Sequence, residues 1–282
     1  NIKLARLFHC MTQWWTRGPS SSSQVASCTS LADLKHQLRW DESLDGQDIT
    51  VPWIDHAGIS ILAYGVAVNE IKVVQEILQL HNDRKSSLLA WRFPKEGVVE
   101  VGIPGHSTCL YGAMCFASPE IVTVLLEEGA DVESTDIMGN DPFMAACGMG
   151  RLDNVTTWFS QVKWNVNCCN ARFGSTALNV AAYVGPRKLE LVRYLVEKKK
   201  ANVRSLNKSG TSALILACEN EDADPKVIRY FLENTKIDVN RQITSQSRKW
   251  KVLRGVAKLA VRFKMNRSEL IRIVAEGAGL TA

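Results

Sequence analysis

No stretch of this 282-residue chain approaches the ~20 consecutive apolar residues of a membrane-crossing helix, so no membrane span is expected. Eight cysteines are present, but none stands in the C-x-x-C spacing of a zinc or redox site. The five histidines (His9, His36, His56, His81 and His106) fall on separate elements without metal-ligand spacing. There is no Walker loop, G-x-S-x-G elbow, H-E-x-x-H pair or kinase signature. Gly148-Met-Gly150 has the spacing of a phosphate loop but falls inside an inter-helix turn, the wrong context for one. These gaps remove the common metal, nucleotide and hydrolase chemistries. The chain is expected to be non-enzymatic, with no catalytic residue, cofactor or metal.

What is present is ordinary for a globular chain: 46% apolar and 22% charged residues. Several cysteines stand where a small buried residue is expected, which fits reduced thiols inside the cell. A cytoplasmic location is the expectation. Because the first residue is Asn1 rather than Met, an organelle reached by a removed targeting peptide is the alternative. The formal charge of +5 is uneven. Between Arg241 and Arg272 ten Lys/Arg face one acid, Glu269, a net +9 that leaves −4 for the rest. Any electrostatic role is therefore expected at the C-terminal end.

Self-comparison reveals a repeat. Gly58-Ile-Ser-Ile-Leu-Ala-Tyr-Gly-Val-Ala, His106-Ser-Thr-Cys-Leu-Tyr-Gly-Ala-Met, Gly174-Ser-Thr-Ala-Leu-Asn-Val-Ala-Ala and Gly210-Thr-Ser-Ala-Leu-Ile-Leu-Ala-Cys align with one another. Gly139-Asn-Asp-Pro-Phe-Met-Ala-Ala-Cys keeps the shape, and the starts lie 48, 33, 35 and 36 residues apart. A second apolar block follows each, as in Ile121-Val122-x-Val124-Leu125-Leu126, and then a closure such as Gly129-Ala-Asp-Val-Glu. Leu and Ala at the fourth, seventh and eighth positions after the Gly share one face of a short helix. The second block is a longer amphipathic helix, Gly129 is a left-handed cap, and the Asp/Asn-x-x-Gly stretches have turn chemistry. One such unit cannot bury its own apolar face; neighbours must stack on it.

This pattern closely resembles the ankyrin repeat over about residues 55–280. The resemblance implies an all-α solenoid of helix–turn–helix units with β-turn or hairpin fingers. Repeats would start near 55, 103, 136, 171 and 207, within a region 55–240. The long first interval reads as an elongated finger around Trp91–Pro104, with Val98 to Ile103 as a short β-hairpin. Residues 241–282 form a basic, degenerate sixth repeat or cap. Two residues are gained between the helices at Pro186-Arg187 and again at Asp222-Ala223.

At the other end, residues 1–17 form an amphipathic helix carrying Trp14 and Trp15, 18–29 a Ser-rich linker, and 30–54 a capping helix that Ser30 can N-cap. Both helices can cap the open end of the stack, or the first can dock into a partner.

The resemblance further implies partner binding at the finger tips and on the concave face of the inner helices. Carried over by position, the tips include Ile137, Met138, Arg172, Phe173 and Lys208, and the inner-helix positions include Phe116, Met149, Tyr183 and Val184. Their apolar character points to a buried protein interface. A scaffold or adaptor subunit of a larger assembly is the expected function. Its protein partners would meet the concave face, the fingers and the N-terminal helix. One alternative is an RNA- or ribonucleoprotein-associated adaptor, because Arg248, Lys249, Lys251, Arg254, Lys258 and Arg262 make a basic patch fit for an acidic protein or RNA. Another is the ankyrin region of a larger enzyme or channel. The sequons at Asn154, Asn207 and Asn266 are read as chance.

Overall fold

The computed structural model describes residues 28–40, 58–98, 102–183, 188–219 and 224–235. The chain divides into two compact units: residues up to 146 with 153–163, and residues 147–152 with 164 onward. Short inner helices alternate in sequence with longer outer ones. Among the described residues extended structure is limited to four isolated antiparallel bridges, so the fold is all-α.

Inner helices in the first unit are Ile61–Val68, Cys109–Phe116 and the start of Pro142–Gly148, through which the chain passes to the second unit. The second unit has Ala177–Tyr183 and Ala213–Glu219. Each is seven or eight residues long, too short to persist alone in water. Their ends explain how they hold. Ser60, Thr108, Asp141, Thr176 and Ser212 each stand just before the first helical residue, and each side chain accepts a backbone N–H of the first turn. Two residues before each cap the backbone turns left-handed, at Gly58, His106, Gly139, Gly174 and Gly210, with φ between 64° and 80°. That pairing gives every inner helix the same entry, whatever follows.

Burial completes each unit. In the first, Val73, Val74, Ile77 and Leu78 of the outer helix Ile71–Leu80 are closed off, as are Ile121, Val122 and Leu125 of Pro119–Glu127. Phe143 meets Trp158 and Phe159 of the outer helix Leu152–Gln161 at centroid distances of 6.1 and 5.2 Å. Leu31–Leu38 closes over this unit with Leu31, Leu34 and Leu38 buried. Ser30 caps that helix, and the Leu31 N–H donates to Glu76 Oε2 at 2.7 Å. In the second unit the two inner helices pack side by side, and their small residues Ala177, Ala181, Ala182, Ala213 and Ala217 allow it. Leu191, Val192 and Leu195, then Val227, Ile228 and Phe231, line the outer helices.

The long first interval holds more than the finger that the sequence suggests around Trp91–Pro104. Its first part is a 3-10 turn, Asn82–Arg84, leading into a short helix, Lys85–Ala90, that buries Leu88 and Leu89. Lys85 also pairs with Glu128. Six residues carry less than two turns of periodicity, too little to distinguish this helix from loop. The remainder is an arm folded inward, with Trp91, Phe93, Val98 and Ile103 all buried. Val98 and Ile103 exchange backbone hydrogen bonds of 2.8 and 3.1 Å, a hairpin reduced to one bridge. The arm closes tightly: a Cβ on Gly105 would lie 2.0 Å from the Lys95 carbonyl oxygen.

Candidate functional site

The finger between the second and third repeats is built around Asp136. Its Oδ1 accepts the N–H groups of Met138 (2.7 Å) and Asn140 (2.9 Å), and its Oδ2 accepts Tyr111 Oη at 2.9 Å. The Ile137 N–H donates to Gly105 O at 2.9 Å, tying this finger to the preceding arm. Arg92 reinforces the tie by donating to His106 O and Thr135 O, at 2.9 and 3.0 Å. The Asp136 carboxylate is thereby taken up inside the turn. Ile137 is left at the tip, 40% exposed, with Met138 half-buried beside it. Phe116, at the end of its inner helix, is also half-buried, and its neighbour Cys115 is fully covered.

The second unit repeats the device with an asparagine. Asn170 Oδ1 accepts the N–H groups of Arg172 and Phe173, both at 2.8 Å. Asn207 Oδ1 does the same for Ser209 and Thr211 at 3.0 and 2.9 Å. The two fingers are joined: the Lys208 N–H donates to Phe173 O at 2.8 Å, and the Lys208 ammonium donates to Ala171 O. Arg172, Phe173 and Lys208 are thus brought together. The Phe173 ring is 43% exposed, with the Arg172 guanidinium 5.4 Å from its centroid. Tyr183, ending its inner helix, is 40% exposed, and Met149 is half-buried. Gly174 stands at φ +67°, and a Cβ there would also press to 3.0 Å on the Lys208 side chain.

Val184 lies outside the described residues, as do the N-terminal helix with Trp14 and Trp15, residues 41–57, and the two gained pairs at 186–187 and 222–223. The same holds for the sixth repeat and its basic residues Arg248, Lys249, Lys251, Arg254, Lys258 and Arg262.

Charge is also uneven among the described residues. From Glu96 to Gly150 the chain has nine acids and no Lys or Arg. In the second unit the described residues carry eleven Lys/Arg against five acids, and in the first eight against thirteen.

Two buried polar residues serve the structure. Asn154 is fully buried on the outer helix Leu152–Gln161. Its Nδ2 donates to Ala113 O, Met114 O and Ala117 O at 3.1–3.2 Å, adding a donor to the carbonyls at the end of Cys109–Phe116, of which Ala113 O also accepts the Ala117 N–H. That sequon is therefore inaccessible. Asp141, the cap of Pro142–Gly148, is raised to about 6 by burial and, less strongly, by the charge of Asp136, although the Met144 and Phe143 amides oppose the shift. The only hint of either role in the sequence was position: Asn154 replaces an apolar residue on a buried face, and Asp141 stands where other repeats have Ser or Thr. Burial also pushes the thiols of Cys28 and Cys218 up, to about 11 and about 12, which disfavours thiolate chemistry.

Among the described residues no group of three or more His, Cys, Asp or Glu is placed to hold a metal ion, and no helix is long and apolar enough to cross a membrane. Compared with known families, residues 143–243 match the model described as ankyrin repeats, in three copies. No curated protein matches the chain.

Proposed function

We propose that this chain, an ankyrin-repeat protein by residues 143–243, serves as a non-enzymatic scaffold that holds another protein. Ankyrin repeats generally mediate protein–protein interaction. The observation that carries the reading is the display of large apolar side chains from rigid tips. Ile137 and Phe173, 40% and 43% exposed, stand on turns whose N–H groups are held by Gly105 O and Asn170 Oδ1, and Tyr183 at an inner-helix end is 40% exposed. Such tips lose little conformational entropy when a partner covers them. Aromatic side chains of this kind anchor interfaces, while the buried helices beneath maintain shape.

The test separates binding from folding. Phe173→Ala and Met138→Ala are expected to weaken capture of the native partner by the full chain, with thermal melting nearly unchanged. Undiminished capture by both variants would remove the tips from the interface. Cross-linking of the native protein followed by mass spectrometry identifies which tip each partner meets.

A further inference from the structure

We propose that the finger edge of the second unit captures an acidic segment of a protein partner, with Phe173 as the apolar anchor and Arg172 and Lys208 as the cationic contacts. This rests on the scaffold reading above and adds the chemistry of the partner.

The described fingers of this unit, around Arg172 and Lys208, carry no acid. Among its described residues from 164 to 183 Arg172 is the one charged side chain, and from Lys198 to Cys218 five Lys/Arg stand with no Asp or Glu. Arg172, Lys198, Lys200, Arg204 and Lys208 are exposed. The cations are placed by the fold rather than scattered. Asn170 fixes the backbone of Arg172 and Phe173, the Asn202 N–H donates to Asn167 Oδ1 at 2.8 Å, and Lys208 holds the Ala171 carbonyl. Adjacent fingers are thereby locked in register, so an incoming carboxylate meets charges that need little reordering.

The corresponding finger of the first unit is the internal control. It has the same turn, with Asp136 in the role of Asn170, but between Glu127 and Asp141 it carries six acids and no Lys or Arg. Equal scaffolding with opposite charge makes the second unit selective for an acidic segment and the first unit repulsive to it. A nucleic acid fits less well. Single-stranded binding uses several stacking platforms along a basic track, whereas Phe173 is the one strongly exposed aromatic on these fingers.

The experiment is fluorescence anisotropy of a labelled Asp/Glu-rich peptide of roughly 12 residues with one central leucine, titrated with the full chain. The peptide is expected to bind, and Arg172→Glu with Lys208→Glu to weaken it about ten-fold. Raising salt from about 50 to about 300 mM should weaken it comparably. Phe173→Ala should lower affinity several-fold, and Glu133→Lys in the first unit should leave it unchanged. If the charge-reversed double variant does not melt like the parent, Arg172→Gln with Lys208→Gln removes the charge while keeping polar groups. No binding by the parent chain, or full binding by a correctly melting double variant, overturns the proposal. So does tighter binding of oligouridine than of the peptide, or salt-sensitive self-association by sedimentation that the double variant abolishes, which would assign the edge to a second copy. Capture of the native partner then distinguishes the two readings. If it depends on Phe173 but ignores both charge variants, the scaffold stands and the acidic partner falls. If it ignores Phe173, Met138 and both charge variants alike, the scaffold reading falls with it.

Discussion

The two units solve the same folding problem with different polar chemistry. In the second, the inner-helix caps Thr176 and Ser212 are neutral, the turns are organised by Asn170 and Asn207, and a carboxylate cap, Asp224, stands only on the outer helix Pro225–Asn234. In the first, a cap and a turn are carboxylates, Asp141 and Asp136, and a buried Asn154 closes a helix end from across a helix pair. Neutral amides and hydroxyls need only a partner; carboxylates also need a proton or a counter-charge. The first unit is therefore the one that places a carboxylate, Asp141, at a buried inner-helix cap and so couples its core to pH. The second is the one free to devote its charges to the surface.

Trp158→Ala should break this comparison most severely. Removing a fully buried indole that packs on Phe143 costs about 3–5 kcal/mol, read by urea denaturation of the full chain. Hydrogen exchange should then rise in Pro119–Glu127 and Leu152–Gln161 before it rises in Ala177–Tyr183 and Ala213–Glu219, as nearest-neighbour stability in a repeat array requires. Uniform loss of protection would show that the two units unfold as one.

Asn154→Ala comes next, at about 2–3 kcal/mol, since three carbonyls lose a donor inside a closed site. Asn154→Leu, which restores volume but not the donor, should recover only part of this.

Asp141 sharpens the contrast in pH. Its folded value, about 6, lies above the ordinary carboxylate value of 3.8, so between those limits the native state holds the extra proton. Stability contributed by the protonated side chain is thus lost as pH rises from about 4 to about 6, by up to about 3 kcal/mol. Asp141→Asn keeps an acceptor at the cap and should flatten that part of the profile, raising Tm at neutral pH. A profile identical to that of the parent chain would show that Asp141 is ionised throughout.

The smallest effect concerns His106, the one repeat start that is left-handed without being glycine. His106→Gly should stabilise by about 0.5–1 kcal/mol, whereas Gly174→Ala should destabilise by about 1–2, both by thermal melting.

Much of the architecture was legible because packing leaves a periodic trace. The Leu and Ala spacing gave the inner helices, the Val/Ile pairs gave the outer ones, and the glycines marked turns that are indeed left-handed. His106 was recognised as a departure only because a period had been established first. What stayed hidden was whatever depends on contacts between repeats. Lys85–Ala90 has too few residues for periodicity and is fixed by the burial of Leu88 and Leu89. The structural role of Asn154 was hidden because its carbonyl partners lie about forty residues earlier. The tips were found by position, but the opposition of charge between units was not, since only the division into two bodies shows where to sum.

The segregation of charge also fixes how the molecule meets a protease. Trypsin has no Lys or Arg to recognise between Lys95 and Arg151. Complete digestion therefore leaves a single long peptide, Glu96–Arg151, that carries the end of the folded arm, the helices Cys109–Phe116 and Pro119–Glu127, the acidic finger and the inner helix Pro142–Gly148. The basic fingers of the second unit offer cleavage sites at Arg172, Arg204 and Lys208. Cleavage there is a direct footprint: an occupant of that edge shields its basic residues, while the uncut acidic peptide provides the internal standard.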